Sequence, residues 1–238
     1  MKKYKKFNFK IFDKSINIFL NKQVFYPNLT TKLLIESADK IIKKNSKLLD
    51  LGCGSGIISC YFYLKKKTKF IYGSDISKKS IECAIYNSKK VTNNFDIRLT
   101  NLFNKWQDNK FDVIINDVSG ISSKMNKMSE WFKFAPNNSG RDGIEFTIKV
   151  LNNYKKYLNK SGKLIFPVLG LSNRDKLIIY LQKLNIKYKI IKKIEWPLPK
   201  SIYKNKKLLE KYKNEKIINF TEKFGILFTT TEIFVVNR

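Results

Sequence analysis

Histidine is absent from all 238 residues. Its absence removes the usual general base, the usual neutral metal ligand and every Ser-His or Cys-His nucleophile. Cysteine is scarce: Cys53, Cys60 and Cys83 form no C-x-x-C pair, and three is an odd number for a disulfide framework. A transition-metal site is therefore not expected, and the thiols read as reduced and mostly packed. No run approaches the roughly 18 apolar residues of a membrane span. The start, MKKYKKFNFKIFDKS, alternates charge with aromatics where a secretory leader would be apolar. The expectation is a cytoplasmic chain with no membrane partner. Acid is short as well: 19 Asp and Glu stand against 48 Lys and Arg, a formal charge of +29. Such a charge attracts phosphate regardless of sequence. Arginine, however, is confined to Arg98, Arg141, Arg174 and Arg238, and bidentate recognition of phosphate or guanine favours arginine. The lysines fall on every expected helix, so a polyanionic partner such as RNA and a chain-wide drift towards lysine account for the charge equally well.

What is present begins with a core: hydrophobic residues make up 43% of the chain, enough for one α/β domain with a decorated edge. The most informative stretch is 47–58, KLLDLGCGSGII. An apolar run through Leu48, Leu49 and Asp50 meets Gly52, Gly54 and Gly56, which alternate with Cys53 and Ser55 before a helical pattern starts. Glycine permits a positive φ and lets another molecule approach the backbone. The helix start favours an anion by roughly 0.3–1 kcal/mol. The G-x-G-x-G spacing completes neither the dinucleotide fingerprint nor the triphosphate loop, since Ile57 and the missing G-K-[ST] break both. A second strand, 69–75, ends in Asp75, 23 positions after Gly52. A carboxylate at about that distance is placed to accept hydrogen bonds from a ribose diol; the bland reading is a turn or capping aspartate.

The remaining pattern alternates. A helix over 28–44 precedes the first strand, 47–52, and its helix, 55–66. The second strand is followed by a helix over 77–91, a short third strand over 96–101 and a fourth, 111–117, reading FDVIIND. A polar loop over 118–143 leads to a helix over 144–158, where Asp142 and Glu145 have the spacing of an N-terminal cap. Strands over 163–169, 188–196 and 225–236, with a helix over 172–184, complete the chain. Alternation of this kind implies a doubly wound, mostly parallel sheet, and the two final strands suggest that the last inserts antiparallel. Ligands in such sheets sit at the carboxyl ends of the strands, so 52–56, Asp75, Asn101 and Asp117 are expected to converge.

The glycine loop, the downstream acid and the seven-strand ending resemble class I S-adenosylmethionine-dependent methyltransferases, from about Val24 to the C-terminus. The resemblance implies a Rossmann-like methyltransferase fold and S-adenosylmethionine as cofactor, held around Asp50, Gly52, Cys53, Gly54, Gly56, Asp75 and Ile76. It also implies Asn101 against the adenine amino group and Leu102 on the purine face. Phe25-Tyr26-Pro27-Asn28-Leu29-Thr30-Thr31 is similar to the F-x-P-x-x-x-T segment of the small-domain group, so Thr30 or Thr31 is expected near the methionine moiety or at a helix N-cap. Protein-glutamine and amino-directed nucleic-acid methyltransferases of that group carry N-P-P-[YF] after the fourth strand. This chain reads Asp117-Val118-Ser119-Gly120. Asp117 falls at the Asn position, and with no histidine in the chain it is the best-placed base. Ser119, with Trp131 and Phe132 in the SEWFKF segment, is expected to shape the acceptor pocket.

The expected organisation is a basic N-terminal extension, 1–23, then one methyltransferase domain, 24–238, with a lid at 118–143 and a basic insertion at 197–223. Lysines and tyrosines interleave in that insertion, as a polyanion clamp or a solvated helix. The expected function is methyl transfer to an N or O nucleophile of a small-molecule or peptide acceptor. Ribosomal RNA or a translation-associated protein is the alternative acceptor. A non-catalytic RNA-binding protein on the same fold is the competing class, against which the intact donor loop speaks.

Overall fold

Short, mostly apolar runs such as LLDL and FDVIIN are bounded by glycines and polar turns, and each becomes a strand. The structure is a computed structural model describing residues 4–128 and 139–238. In chain order it holds β1 (Lys5–Ile11), β2 (Lys14–Leu20), α1 (Leu29–Asp39), β3 (Leu48–Leu51), α2 (Ile57–Leu64), β4 (Ile71–Asp75), α3 (Lys78–Ser88), β5 (Asp96–Leu99) and β6 (Phe111–Asn116). There follow α4 (Ser123–Met128), α5 (Glu145–Leu151), α6 (Tyr154–Tyr157), β7 (Leu158–Leu169), α7 (Arg174–Lys183), β8 (Tyr188–Pro197), α8 (Lys200–Tyr203), α9 (Lys206–Asn214), β9 (Thr221–Lys223) and β10 (Ile226–Asn237).

The main sheet runs β5-β4-β3-β6-β7-β10-β8, with the short β9 paired to β10. From β5 to β7 every neighbour is parallel, whereas β10 is antiparallel to both β7 and β8. The last strand therefore inserts antiparallel, and β8 keeps the direction of the parallel strands. Side chains alternate across a strand, so Leu48, Val113, Ile115 and Ile165 pack with α1 and α2 on one face. Leu49, Leu51, Ile114, Leu164 and Phe166 pack on the other with Leu177 and Leu181 of α7. Burial on both faces explains why β3 has no exposed position.

The basic start of the chain forms a hairpin, β1 with β2. Phe9, Ile11, Ile16, Ile18 and Leu20 join the α1–α2 side of the core, while Asn8 and Asn17 bond to one another outside. Two expectations change. The helix expected over 144–158 is broken: α5 ends at Leu151, α6 is one turn, and β7 already begins at Leu158. Asp142 does not cap α5, which starts at Ile144 without a side-chain cap; its carboxylate is taken by Lys176 of α7. The helix expected over 28–44 stops at Asp39, where the chain turns and Ile41 and Ile42 both donate to the Ala38 carbonyl. The segment after β8 folds as α8 and α9, with Leu209 and Tyr212 buried and the lysines outward.

Candidate active site

The carboxyl ends of β4, β3, β6 and β7 open on a cavity of about 550 Å³. At its floor the chain leaves β3 through Gly52, with φ +81°, and Gly54, with φ +52°. A Cβ on Gly52 would lie 2.9 Å from Val118 Cγ1, so the close approach of β6's end requires glycine. At Gly54 nothing lies within 4 Å of that position: the space is left to the cavity. The Gly52 and Cys53 amides both donate to the Ser74 carbonyl, at 2.8 and 2.9 Å, tying the turn to β4. Gly56, expected among the cofactor contacts, packs on Ala84 of α3 and does not line the cavity.

Asp75, the last residue of β4, accepts from the Gly54 amide at 3.0 Å and the Ser77 amide at 2.8 Å. One carboxylate thus fixes the glycine turn and the start of α3. Burial raises its pKa, and these amide bonds pull it back. A carboxylate offers about four lone-pair sites, so acceptor capacity remains towards the cavity that Asp75 lines. Ile76, Asn101 and Leu102 continue that wall. Leu102 holds φ +47°, a left-handed backbone that costs a bulky residue about 1–3 kcal/mol and concentrates at ligand sites.

Asp50 is placed differently from expectation. It is wholly buried beneath the turn, away from the cavity surface, and accepts from Ser59 of α2 through Oγ at 2.8 Å and the amide at 3.3 Å. Burial above all, with the charge of Asp75 adding, pushes its pKa up to about 7. Asn87 of α3 is a support the sequence did not announce. Its side-chain amide donates to the Phe19 and Ser55 carbonyls and accepts from the Phe19 amide, clasping the hairpin to the glycine turn.

Asp117 follows β6 at the centre of the cavity, and Thr31 of α1 donates to its Oδ2 at 3.2 Å. Thr31 therefore lines the cavity with its hydroxyl engaged by Asp117, while Asn28 caps α1 through the Thr30 amide. Burial first, and the charge of Asp50 second, push the Asp117 carboxyl up to about 8. Ser119 also lines the cavity, held by Ser139, whose hydroxyl reaches its Oγ at 2.9 Å and its carbonyl at 2.6 Å. Trp131 and Phe132 lie outside the described residues. Beyond Asp117, the wall consists of Phe25, Leu29, Phe146, Pro167, Leu169 and Trp196. Trp196, at the end of β8, is oriented by its Nε1–H on Thr231 Oγ1 at 2.9 Å. Pro167, Leu169 and Trp196 went unread, although their places at the carboxyl ends of β7 and β8 were the available signal; Phe146 of α5 went unread as well, whereas Phe25 and Leu29 belong to the segment singled out for its F-x-P-x-x-x-T pattern. Among the described residues no lysine or arginine lines the cavity, despite the charge of the chain. No helix among them is long and apolar enough to cross a membrane.

Residues 42–225 match the family model described as Methyltransferase domain. The chain belongs to this family and is of the class I S-adenosylmethionine-dependent kind, related to release factor glutamine methyltransferases. It is 32% identical over 160 residues to a release factor glutamine methyltransferase of Borreliella burgdorferi, an overlap of 63% of this chain and 54% of that protein. It is 28% identical over 183 residues to a putative protein N5-glutamine methyltransferase of Methanocaldococcus jannaschii, covering 76% and 90%. The chain spans about half the length of the release factor enzyme it matches. Among solved structures, the T. thermophilus 16S rRNA N2 G1207 methyltransferase, in complex with AdoMet and guanosine, superposes with TM-score 0.62 at 10% identity, over 100% of this chain and 51% of that one. At that identity the likeness shows the fold.

The family's cofactor is S-adenosylmethionine, and the β3–β4–β5 half of the cavity fits it. The cradle at Gly54 is open, Asp75 keeps acceptor capacity, Ile76 and Leu102 supply apolar walls, and among the described residues no cation lines the cavity to oppose a sulfonium.

Proposed function

We propose that this chain transfers a methyl group to a nitrogen or oxygen nucleophile of a small-molecule or peptide acceptor that meets Asp117. The observation that carries the reading is the position of Asp117, between the half of the cavity bounded by the glycine turn and Asp75 and the half bounded by Phe25, Pro167 and Trp196. Bound S-adenosylmethionine would supply a methyl already activated on sulfonium sulfur, so the protein's work is alignment. Asp75 orders the turn and offers its remaining lone pairs to a ribose diol. Asn101 and Leu102 border the place of the adenine, Thr31 orients Asp117, and the apolar wall excludes water from the reacting group. The reading takes 24–238 as one domain after a basic extension over 1–23, with 118–143 as lid and 197–223 as basic insertion.

A second reading has ribosomal RNA, a ribosomal protein or a translation factor as acceptor. It is favoured by the outward lysines of α9, such as Lys207 and Lys211, and by the names of the relatives. The same lysines would serve a non-catalytic RNA-binding protein. Calorimetric titration with S-adenosylmethionine and S-adenosylhomocysteine, with single-stranded RNA in parallel at moderate salt, separates these readings. Cofactor binding, followed by transfer of labelled methyl to a peptide or small-molecule fraction, is the expected result. Label in RNA or ribosomal protein would establish the second reading, and RNA binding without cofactor binding would overturn the enzyme altogether.

A further inference from the structure

Acids that lose water on folding, whether buried or half-buried like Asp117 at the cavity, fall into two kinds among the described residues. Glu36 and Glu232 are each matched by two cations: Glu36 by Lys32 and Lys192, and Glu232 by Arg174 at 2.6 Å and Lys193 at 3.1 Å. Such pairing offsets part of the cost of burying a carboxylate. Asp117 has no such match. From α1 it receives one hydroxyl, that of Thr31. The next acid on α1, Glu36, is already committed to its lysines. From β3 the facing group is Asp50, another carboxyl, and beyond it on β4 stands Asp75. From β7 and β8 come Pro167, Leu169 and Trp196. Lysine is abundant in this chain, and none lines the cavity among the described residues.

Resting on the reading that the acceptor enters at Asp117, we propose that Asp117 meets it as a neutral carboxyl group, donating and accepting hydrogen bonds as an amide does, and that the entering group is itself uncharged. A half-buried carboxylate in such a wall loses part of its hydration with one neutral donor in return, a balance that favours the protonated form. The upward displacement of its pKa to about 8 has the same direction. A protonated carboxyl carries one O–H donor and a carbonyl acceptor, the pair an asparagine amide presents. The Thr31 hydroxyl marks Oδ2 as the accepting oxygen, leaving the proton to Oδ1. An acceptor bearing a carboxylate or phosphate at its reacting end would find no cation among the described lining residues, and an ammonium would ionise Asp117. Amides, neutral amines and hydroxyl groups remain.

Infrared difference spectroscopy of the full chain against Asp117→Asn tests the protonation state without needing an acceptor. Wild type is expected to show a protonated-carboxyl band at pH 7 that the variant lacks and that fades as pH rises through about 8. Asp50→Asn identifies the separate band of Asp50. With a labelled acceptor from the screen above, Asp117→Asn is expected to keep turnover within about tenfold of wild type, while Asp117→Ala loses on the order of a hundredfold. Wild-type kcat/KM should fall above that pH and the Asn variant stay level. A carboxylate already ionised at pH 7, or activity that rises through the same range with the Asn variant as inactive as the Ala variant, would overturn the proposal in favour of a general base. Failure to bind S-adenosylmethionine would instead count against the enzyme reading, leaving the infrared result to decide the carboxyl by itself.

Discussion

The two halves of the cavity are built on different plans. The cofactor half comes from one stretch of chain, residues 51–102, in which a turn, two strand ends and backbone amides do most of the work. The acceptor half is assembled from α1, the end of β6, α5, β7 and β8, which are far apart in sequence and meet through apolar side chains. The first depends on local backbone geometry, so single-atom changes should be severe. The second depends on strand register, and individual side chains there should be more replaceable.

The sharpest test compares two glycines in one turn. Gly52→Ala forces a Cβ against Val118 at a positive φ, a strain of about 1–3 kcal/mol that also displaces the residue beside Asp117. Melting temperature and cofactor affinity should both fall, affinity by more than about tenfold. Gly54→Ala has open space and should fold with a left-handed penalty of about 1–2 kcal/mol, yet still lose cofactor affinity, because the new methyl enters the cavity. Normal affinity in the Gly54 variant would place the cofactor elsewhere.

Asp75→Ala comes next in size. It removes the acceptor of the Gly54 and Ser77 amides and the candidate ribose contact, with charged hydrogen bonds worth about 1.5–3 kcal/mol each. Titration calorimetry should register at least about a tenfold loss for S-adenosylhomocysteine, and an unchanged constant would remove Asp75 from the ribose. Trp196→Ala probes the other half. Cofactor affinity should be preserved, while the acceptor's KM rises by about three- to tenfold, in keeping with about 0.5–1.5 kcal/mol for an aromatic contact. Equal loss of both affinities would mean that the two halves are one unit.

This contrast also explains what the sequence revealed. Strand, glycine turn and downstream acid lie within about one βαβ unit, and G-x-G-x-G with Asp75 announced them because the steric reasons are local. Asp50 and Gly56 belong to the same motif, but their side of the turn faces protein: Ser59 takes one and Ala84 covers the other. Spacing alone does not say which side a motif residue faces. Trp196 owes its place to β10 lying between β7 and β8 and to the hydroxyl of Thr231, 35 positions away, a relation no local pattern carries. Asp142 had the spacing of a cap and lost that role to Lys176, a tertiary competitor. The hairpin was legible in principle, since KKFNFKI and KSINIFL alternate with period two. Its lysines drew attention to charge instead.

The smallest expected effect concerns stability and pH. Asp50 and Asp117 have pKa values raised to about 7 and about 8, against about 3.9 in an unfolded chain. Between those limits the native state binds more protons than the unfolded state, so their contribution is full below about pH 4 and is lost as pH rises towards 8. Glu195 and Glu215 act in the opposite sense: Lys223 and Arg141 lower their pKa values, giving support that fades only as the medium becomes more acidic than an ordinary glutamate pKa. Glu195 is exposed and Glu215 half-buried at the surface beside an exposed Arg141, so their share is small. Urea denaturation should therefore give a midpoint that declines from mildly acidic to mildly alkaline pH. Asp117→Asn should remove the later part of the decline, and Asp50→Asn the earlier part. Because Asp50 lies under the cofactor half and Asp117 beside the acceptor half, the two variants assign the titration half by half. A midpoint that instead stayed level over this range would mean that both carboxyls are already ionised in the folded protein, and that each half of the cavity carries a charge its surroundings do not match.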